Sequence, residues 1–210
     1  MVKCVVLRKG PYDVNGYFYI DEKSGRGFLL DPGFEGKRLY EMIKENGWVI
    51  EKILITHGHF DHISGIKELK DRIGVPVFIH ENGERFLSDP YFNLSGSSGT
   101  GKISMTADGY FREGDVIKTE DGALRLKVIH TPGHTLDSCV FLSETEPLAF
   151  TGDTIFKGTY GNYLFPTGDH ALLIKTIREK VLTLPDDTVL YSGHTEETTV
   201  RAEKAMYGIR

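Results

Sequence analysis

The sequence predicts an α/β fold in which two β-sheets pack together and helices cover their outer faces. Three observations carry that expectation. Short apolar runs punctuated by Gly, Pro and Asn fill two stretches of the chain, as hairpins require. Segments with apolar residues at helical spacing follow them, so the order reads β-rich, α, β and then β-rich, α, β, α. No internal repeat and no long linker interrupts this order, so residues 1–210 are expected to form one domain, the default at this length.

Taken in order, Val2–Leu7, Tyr17–Ile20 and Gly27–Leu30 read as strands. Gly36–Asn46 carries Leu39, Met42 and Ile43 on one helical face and stops at Asn46-Gly47, a helix-end signal. Lys52–Thr56 is a short β-branched strand. A helix from His62 to Arg72 is lined by Ile63, Ile66, Leu69 and Ile73, and Pro76–Ile79 is the next strand. Ser88–Thr106 is rich in Gly, Ser and Asn and reads as a long loop, which in a compact domain usually serves function. Strands return at Leu124–His130, Cys139–Leu142 and Pro147–Thr151. Asp169 caps a helix carrying Leu173, Ile177 and Val181 that ends before Pro185. Thr188–Tyr191 is the last strand and Thr198–Tyr207 the last helix.

Composition excludes several classes. The net charge of −5 argues against a non-specific nucleic-acid binder, which presents a basic face. The run Val5-Val6-Leu7 is broken by Arg8-Lys9-Gly10, well short of a signal-peptide core of ~7–15 residues, and nothing approaches the ~20 apolar residues of a membrane span. Cys4 and Cys139 sit in apolar runs and read as buried thiols in a reducing compartment. A cytoplasmic protein acting on a small molecule, with neither nucleic acid nor membrane as partner, is the expectation.

Eight histidines then need places. Three of them, with an aspartate, crowd into His57-Gly58-His59-Phe60-Asp61-His62 at the end of a strand and the start of a helix. Imidazole is a borderline ligand and carboxylate a hard one, so the set suits zinc, iron or manganese. The motif recurs in outline three times. His134, Asp153 and His194 each lie just past an expected strand and each follows a glycine, which lets the chain pass close to a crowded centre.

With Asn15-Gly16-Tyr17, Leu30-Asp31-Pro32-Gly33, His57–His62, Thr131–Thr135, Thr151–Thr154 and Gly193-His194 in place, the chain resembles the metallo-β-lactamase-fold hydrolases over essentially its whole length. It is nearest to the glyoxalase II-like (hydroxyacylglutathione hydrolase) branch. The resemblance implies a four-layer αββα sandwich with the metal site along one edge of the two sheets. It implies that His57, His59 and His134 bind one metal, that Asp61, His62 and His194 bind another, and that Asp153 bridges them. Two zinc ions are the expected cofactors, with iron or manganese as alternatives in either site.

A metal lowers the pKa of bound water to roughly 7, so solvent is the expected nucleophile and no Ser or Cys is required. Asp61 and Asp153 are the expected catalytic carboxylates; no extra acid accompanies the motifs, which tilts the expectation toward a leaving group that needs little protonation, with a metal-bound water or Asp61 as the available proton source. Asp31 would orient a ligand histidine or loop, or serve as the turn residue of Asp31-Pro32-Gly33, two roles that can coincide. His80, His130 and His170 have no motif role and read as packing or surface residues.

The chain as given ends about sixteen residues after His194, so the resemblance is to the short form without a C-terminal helical domain, whose loops must hold the substrate. In Gly161–Asp169 an Arg and an acid of many relatives are replaced by Asn162 and Leu164, with Lys157, Tyr160 and Tyr163 as the candidate substrate wall. Gly96–Lys102 has the look of a phosphate loop, but Ile103 stands where Ser or Thr is needed. Asn93-Leu94-Ser95 matches a glycosylation acceptor without a secretory signal. The expected reaction is hydrolysis of a thioester or activated ester. A single-iron persulfide dioxygenase using His57, His134 and Asp153 is the alternative, and a lactonase or other esterase a minor one.

Overall fold

The computed structural model describes residues 1–9 and 12–208, leaving the side chains of Cys4, Arg8 and Lys9 aside; the expected burial of Cys4 therefore lies outside the described residues. The first half supplies β1 (Val2–Lys9), β2 (Tyr12–Ile20), β3 (Arg26–Leu30), α1 (Gly36–Asn46), β4 (Val49–Leu54), α2 (Phe60–Ile63), α3 (Ile66–Ile73), β5 (Val77–His80), α4 (Glu84–Ser88) and β6 (Gly109–Phe111). The second half supplies β7 (Val116–Lys118), β8 (Arg125–His130), β9 (Cys139–Ser143), β10 (Leu148–Gly152), β11 (Ile155–Phe156) and β12 (Thr159–Tyr160). It ends with α5 (His170–Thr176), β13 (Val189–Ser192), β14 (Thr198–Thr199) and α6 (Val200–Met206).

One sheet runs β1-β2-β3-β4-β5-β6 and the other β14-β13-β10-β9-β8-β7, while β11 and β12 form a separate hairpin. Side-chain alternation along the strands builds three apolar layers. Tyr17, Tyr19, Phe28, Leu30, Phe141 and Phe150 meet between the sheets. Phe18, Ile20, Leu29 and Ile53 point the other way, onto Leu39 and Ile43 of α1 and Ile66 and Leu69 of α3. On the far side Val140, Ala149 and Leu190 pack on Leu173 of α5 and Val200 of α6. The result is the expected αββα order, with each fully buried Leu or Phe contributing about 1.5–3 kcal/mol. Among the described residues no helix is long and apolar enough to cross a membrane.

The expected caps are present. Gly47 ends α1 in the left-handed conformation at φ 67°, and Asp169 accepts from the Leu172 N–H at the start of α5. Cys139 is buried between the sheets as its apolar strand predicts. The helix expected over His62–Arg72 is instead two helices, α2 and α3, parted at Ser64-Gly65. The cause is distant in sequence. The Gly65 N–H donates to the Gly33 carbonyl, and a Cβ on Gly65 would come within 3.0 Å of that oxygen. The short elements α4, β6, β7, β11, β12 and β14 carry too few residues for a periodic signal.

Strand direction positions the site. β10 and β13 run parallel, and β8 is antiparallel to β9, which is antiparallel to β10, so β8, β10 and β13 all end at one edge. The Cys139 N–H donates to the Thr56 carbonyl at 2.9 Å, which brings the end of β4 in the other sheet to the same edge.

Candidate metal centre

All seven expected donors lie along this edge. His57 and His59 follow β4, Asp61 and His62 open α2, His134 follows β8, Asp153 follows β10 and His194 follows β13. They fall into overlapping sets, His57/His59/His134, His57/His62/Asp153 and Asp61/His62/His194, with the ligand atoms of each set within 4.8 Å of one another. In the first, His57 Nε2, His59 Nδ1 and His134 Nε2 stand 3.0–3.2 Å apart. Asp153 touches both flanks: Oδ1 is 3.4 Å from His62 Nε2, and Oδ2 is 3.3 Å from His194 Nε2 and 3.6 Å from His134 Nε2. Asp61 Oδ2 lies 3.3 Å from His194 Nε2.

The rings are aimed from behind. His62 Nδ1 donates to Asp31 Oδ2 at 3.0 Å and His134 Nδ1 to the Asn162 carbonyl at 2.6 Å, while His194 Nδ1 donates to the Asp13 carbonyl. Asp31 also accepts from the Thr56 N–H at 2.9 Å and the Thr56 hydroxyl at 2.6 Å, and that hydroxyl lies 3.2 Å from His57 Nδ1. One buried carboxylate thus reaches a histidine of each flank. Holding the hydrogen on Nδ1 leaves each Nε2 lone pair free toward the centre.

Glycine before a donor has a steric reason. A Cβ on Gly193 would stand 2.1 Å from Asp153 Oδ1, and one on Gly152, at φ 48°, would stand 2.3 Å from the Thr56 hydroxyl.

Electrostatics divide the donors into two kinds. Burial keeps His57 well below the usual imidazole range, drives His59 to about 3 and lowers His134, so these three rings are neutral. Burial also pulls on His62, but Asp153, Asp31 and Asp61 outweigh it and raise His62 to about 10. His194 is likewise pushed up to about 11 by Asp153 and Asp61 against its own burial. Burial pushes Asp153 up, yet His194 and His62 hold it well below the carboxylate range. Protons on His62 and His194 therefore mark where the carboxylates call for positive charge. His62 Nε2 and Asp153 Oδ1, which face each other across the centre, are buried without a hydrogen-bond partner. A divalent cation satisfies both conditions, and the mixed imidazole and carboxylate set fits one.

A cavity of about 310 Å³ opens over the donors. Its remaining walls are Tyr12, Phe60, Leu94, Ser97, Ser98, Phe156, Asn162 and Phe165. The long loop expected at Ser88–Thr106 contributes Leu94, Ser97 and Ser98. Lys157, Tyr160 and Tyr163, the candidate substrate wall, do not line the cavity. Lys157 Nζ is held by Glu196 at 2.6 Å, while Tyr160 and Tyr163 pack around His170 at the start of α5. The chain turns at Asn162 to give its carbonyl to His134, which sends the two tyrosines toward the helix and Phe165 toward the site.

Two further placements follow. Asn93 is fully buried, its side-chain amide donating to the Ile103 carbonyl, so its acceptor motif is closed in the folded chain. Asp137, which sequence reasoning passed over, accepts from the Gly58 N–H at 2.9 Å and ties the His57–His59 turn to the loop bearing His134. Burial raises its carboxyl to about 7. An acid three residues past His134 and just before an apolar strand was the available signal.

Comparison with known proteins gives the same family from both sequence and structure. The family model described as "Metallo-beta-lactamase superfamily" matches residues 10–194. Among curated relatives, the hydroxyacylglutathione hydrolase GloC of Haemophilus influenzae is 34% identical over 186 residues, covering 88% of this chain and 86% of that one. Among solved structures, the BLEG-1 B3 metallo-beta-lactamase superimposes with a TM-score of 0.91 at 31% identity, covering 98% of this chain and 97% of that one. TTHA1623, solved in a di-iron-bound form, gives a TM-score of 0.82 at 26% identity, with 97% and 98% covered.

Proposed function

Because the chain belongs to the metallo-beta-lactamase superfamily of hydrolases, we propose that it hydrolyses small-molecule thioesters or activated esters, in the manner of a hydroxyacylglutathione hydrolase, with two divalent ions. The observation that carries this reading is the pair of flanking donor sets that share Asp153 beneath an open cavity. His57, His59 and His134 would hold one ion, Asp61, His62 and His194 the other, and Asp153 both. Bound there, such ions supply Lewis-acid polarisation of a carbonyl and water acidified to roughly neutral pKa.

The protein's own groups do the rest. Neutral His57, His59 and His134 offer lone pairs at no cost in deprotonation, and Asp31 fixes the ring of His62. Asp61 and Asp153 are the carboxylates lining the cavity; burial pushes both up, but His62 and His194 hold them below the carboxylate range, so neither keeps a proton for a departing atom at neutral pH. A thiolate leaves with a pKa of ~8.5 and needs little such help, whereas an amine requires a positioned acid. This favours thioesters. Among the described residues no side-chain nucleophile competes: Cys139 is buried with its thiol pKa raised by that burial, and the Ser97 and Ser98 hydroxyls donate to the Leu94 and Ser95 carbonyls.

The test follows thiol release from a thioester by protein loaded with zinc, manganese or iron, with dissolved oxygen recorded in parallel. Thiol release without oxygen uptake is the expected result. Oxygen uptake on a persulfide by singly iron-loaded protein, with no thioester turnover, would overturn it in favour of the dioxygenase alternative.

A further inference from the structure

The cavity walls, taken apart from the donors, have a chemistry of their own. Phe165 stands edge-on to His59 with ring centroids 5.4 Å apart and to His134 at 6.2 Å, and Phe156 stands edge-on to His194 at 5.8 Å. Tyr12 packs at right angles on Phe60 at 5.1 Å, and Leu94 completes the apolar surface. The polar side chains that line it outside the donor set, Tyr12, Ser97, Ser98 and Asn162, are all uncharged. The nearby cation Lys157 is tied to Glu196.

These walls are held in shape before any ligand arrives. The 161–168 loop is braced to the His134 loop twice, by His134 Nδ1 on the Asn162 carbonyl and by the Leu136 N–H on the Thr167 hydroxyl at 2.9 Å. The opposite loop is stapled by buried Asn93, whose side-chain oxygen accepts from the Ser95 N–H and whose carbonyl accepts from the Phe60 N–H. Phe165 nevertheless remains 37% exposed and Tyr12 36% exposed. Large apolar side chains left uncovered around a concave site mark the surface a ligand covers.

We propose that the cavity selects an uncharged, apolar acyl group, aromatic or branched, and that Phe165 is the residue that discriminates it. The inference rests on the thioester hydrolase reading and names the substrate class for that site. At about 310 Å³ the cavity lies at the lower end of the ~300–1,000 Å³ range of small-molecule pockets, which suits a small acyl group. Among the described residues, a carboxylate at the far end of the acyl chain finds uncharged walls and no cation to pair with.

The test compares acetyl, phenylacetyl and succinyl thioesters of one neutral thiol on metal-loaded protein, with binding of phenylacetate and succinate measured by calorimetry. The expected kcat/KM for phenylacetyl exceeds that for acetyl by roughly 10–100-fold, the range for one buried ring, and exceeds that for succinyl by at least as much. Phe165→Ala should cut the phenylacetyl advantage about tenfold and weaken phenylacetate binding with unchanged metal content. Leu164→Ala, on a 79% exposed neighbour that does not line the cavity, should preserve both. Equal turnover of acetyl and phenylacetyl, or preference for succinyl, overturns the inference while leaving the hydrolase standing. Absence of turnover with all three overturns the hydrolase reading and this inference with it.

Discussion

Asp31→Asn separates folding from metal binding at this site. The native carboxylate accepts three hydrogen bonds, from the Thr56 N–H, the Thr56 hydroxyl and His62 Nδ1. An amide has one oxygen. If that oxygen serves the Thr56 N–H, the NH2 faces His62, which must then accept on Nδ1 and carry its hydrogen on Nε2, where it no longer offers a lone pair. If the oxygen serves His62, the NH2 opposes the Thr56 N–H across 2.9 Å. Metal-free protein can adopt the first arrangement, but a bound metal needs the Nε2 lone pair and forces the second, whose buried misfit costs about 1.5–3 kcal/mol, roughly 10–150-fold in metal affinity at about 1.4 kcal/mol per tenfold. Asn also tolerates the left-handed backbone at this position, φ 46°, so the fold should persist. Competition against a chromophoric chelator reads the affinity and thermal unfolding of the metal-free protein reads the fold. An Asn variant that binds metal within about threefold of the parent would refute the reasoning, since the misfit predicts tenfold or more.

Gly193→Ala should lose metal and activity together, because the new Cβ would stand 2.1 Å from Asp153 Oδ1; elemental analysis of the purified variant checks this. His170→Ala should keep full metal content, since its ring packs on Tyr160 and Tyr163 and belongs to none of the donor sets; loss of metal would show the histidines to be wrongly sorted. Metal loading should release protons. His62 and His194, raised to about 10 and 11, are protonated at pH 7–8 without metal and must give up those protons to bind one, whereas His57, His59 and His134 are already neutral. Affinity therefore weakens as pH falls, and calorimetry in buffers of different ionisation enthalpy should count close to two protons per chain when both flanks fill. A count of zero would contradict the assignment.

The candidate donors were legible in the sequence because His57–His62 crowds four of them into six positions at a strand end, and His134, Asp153 and His194 each follow a strand and then a glycine. The strands that aim them are long enough to show a period. Cys139 was legible for the same reason, as an apolar residue in an apolar strand. The break between α2 and α3 was not, because it arises where Gly65 meets Gly33, and the local run of Ile63, Ile66 and Leu69 is continuous across it. The substrate wall was the least legible part. Lys157 is neutralised by Glu196, 39 residues away, and the direction of Tyr160, Tyr163 and Phe165 is set by the bond from His134 to the Asn162 carbonyl. Loop side chains are oriented by such long-range contacts, which leave no periodic trace.

The account stands on two ions held by flanking donor sets that share Asp153. Titrating metal-free protein with zinc against a competing chelator tests this most directly. Two equivalents bound per chain, with Asp153→Ala losing tight binding and thioester hydrolysis together, is the predicted result. Saturation at one equivalent, or an Asp153→Ala variant that keeps two ions at parental affinity, would contradict it.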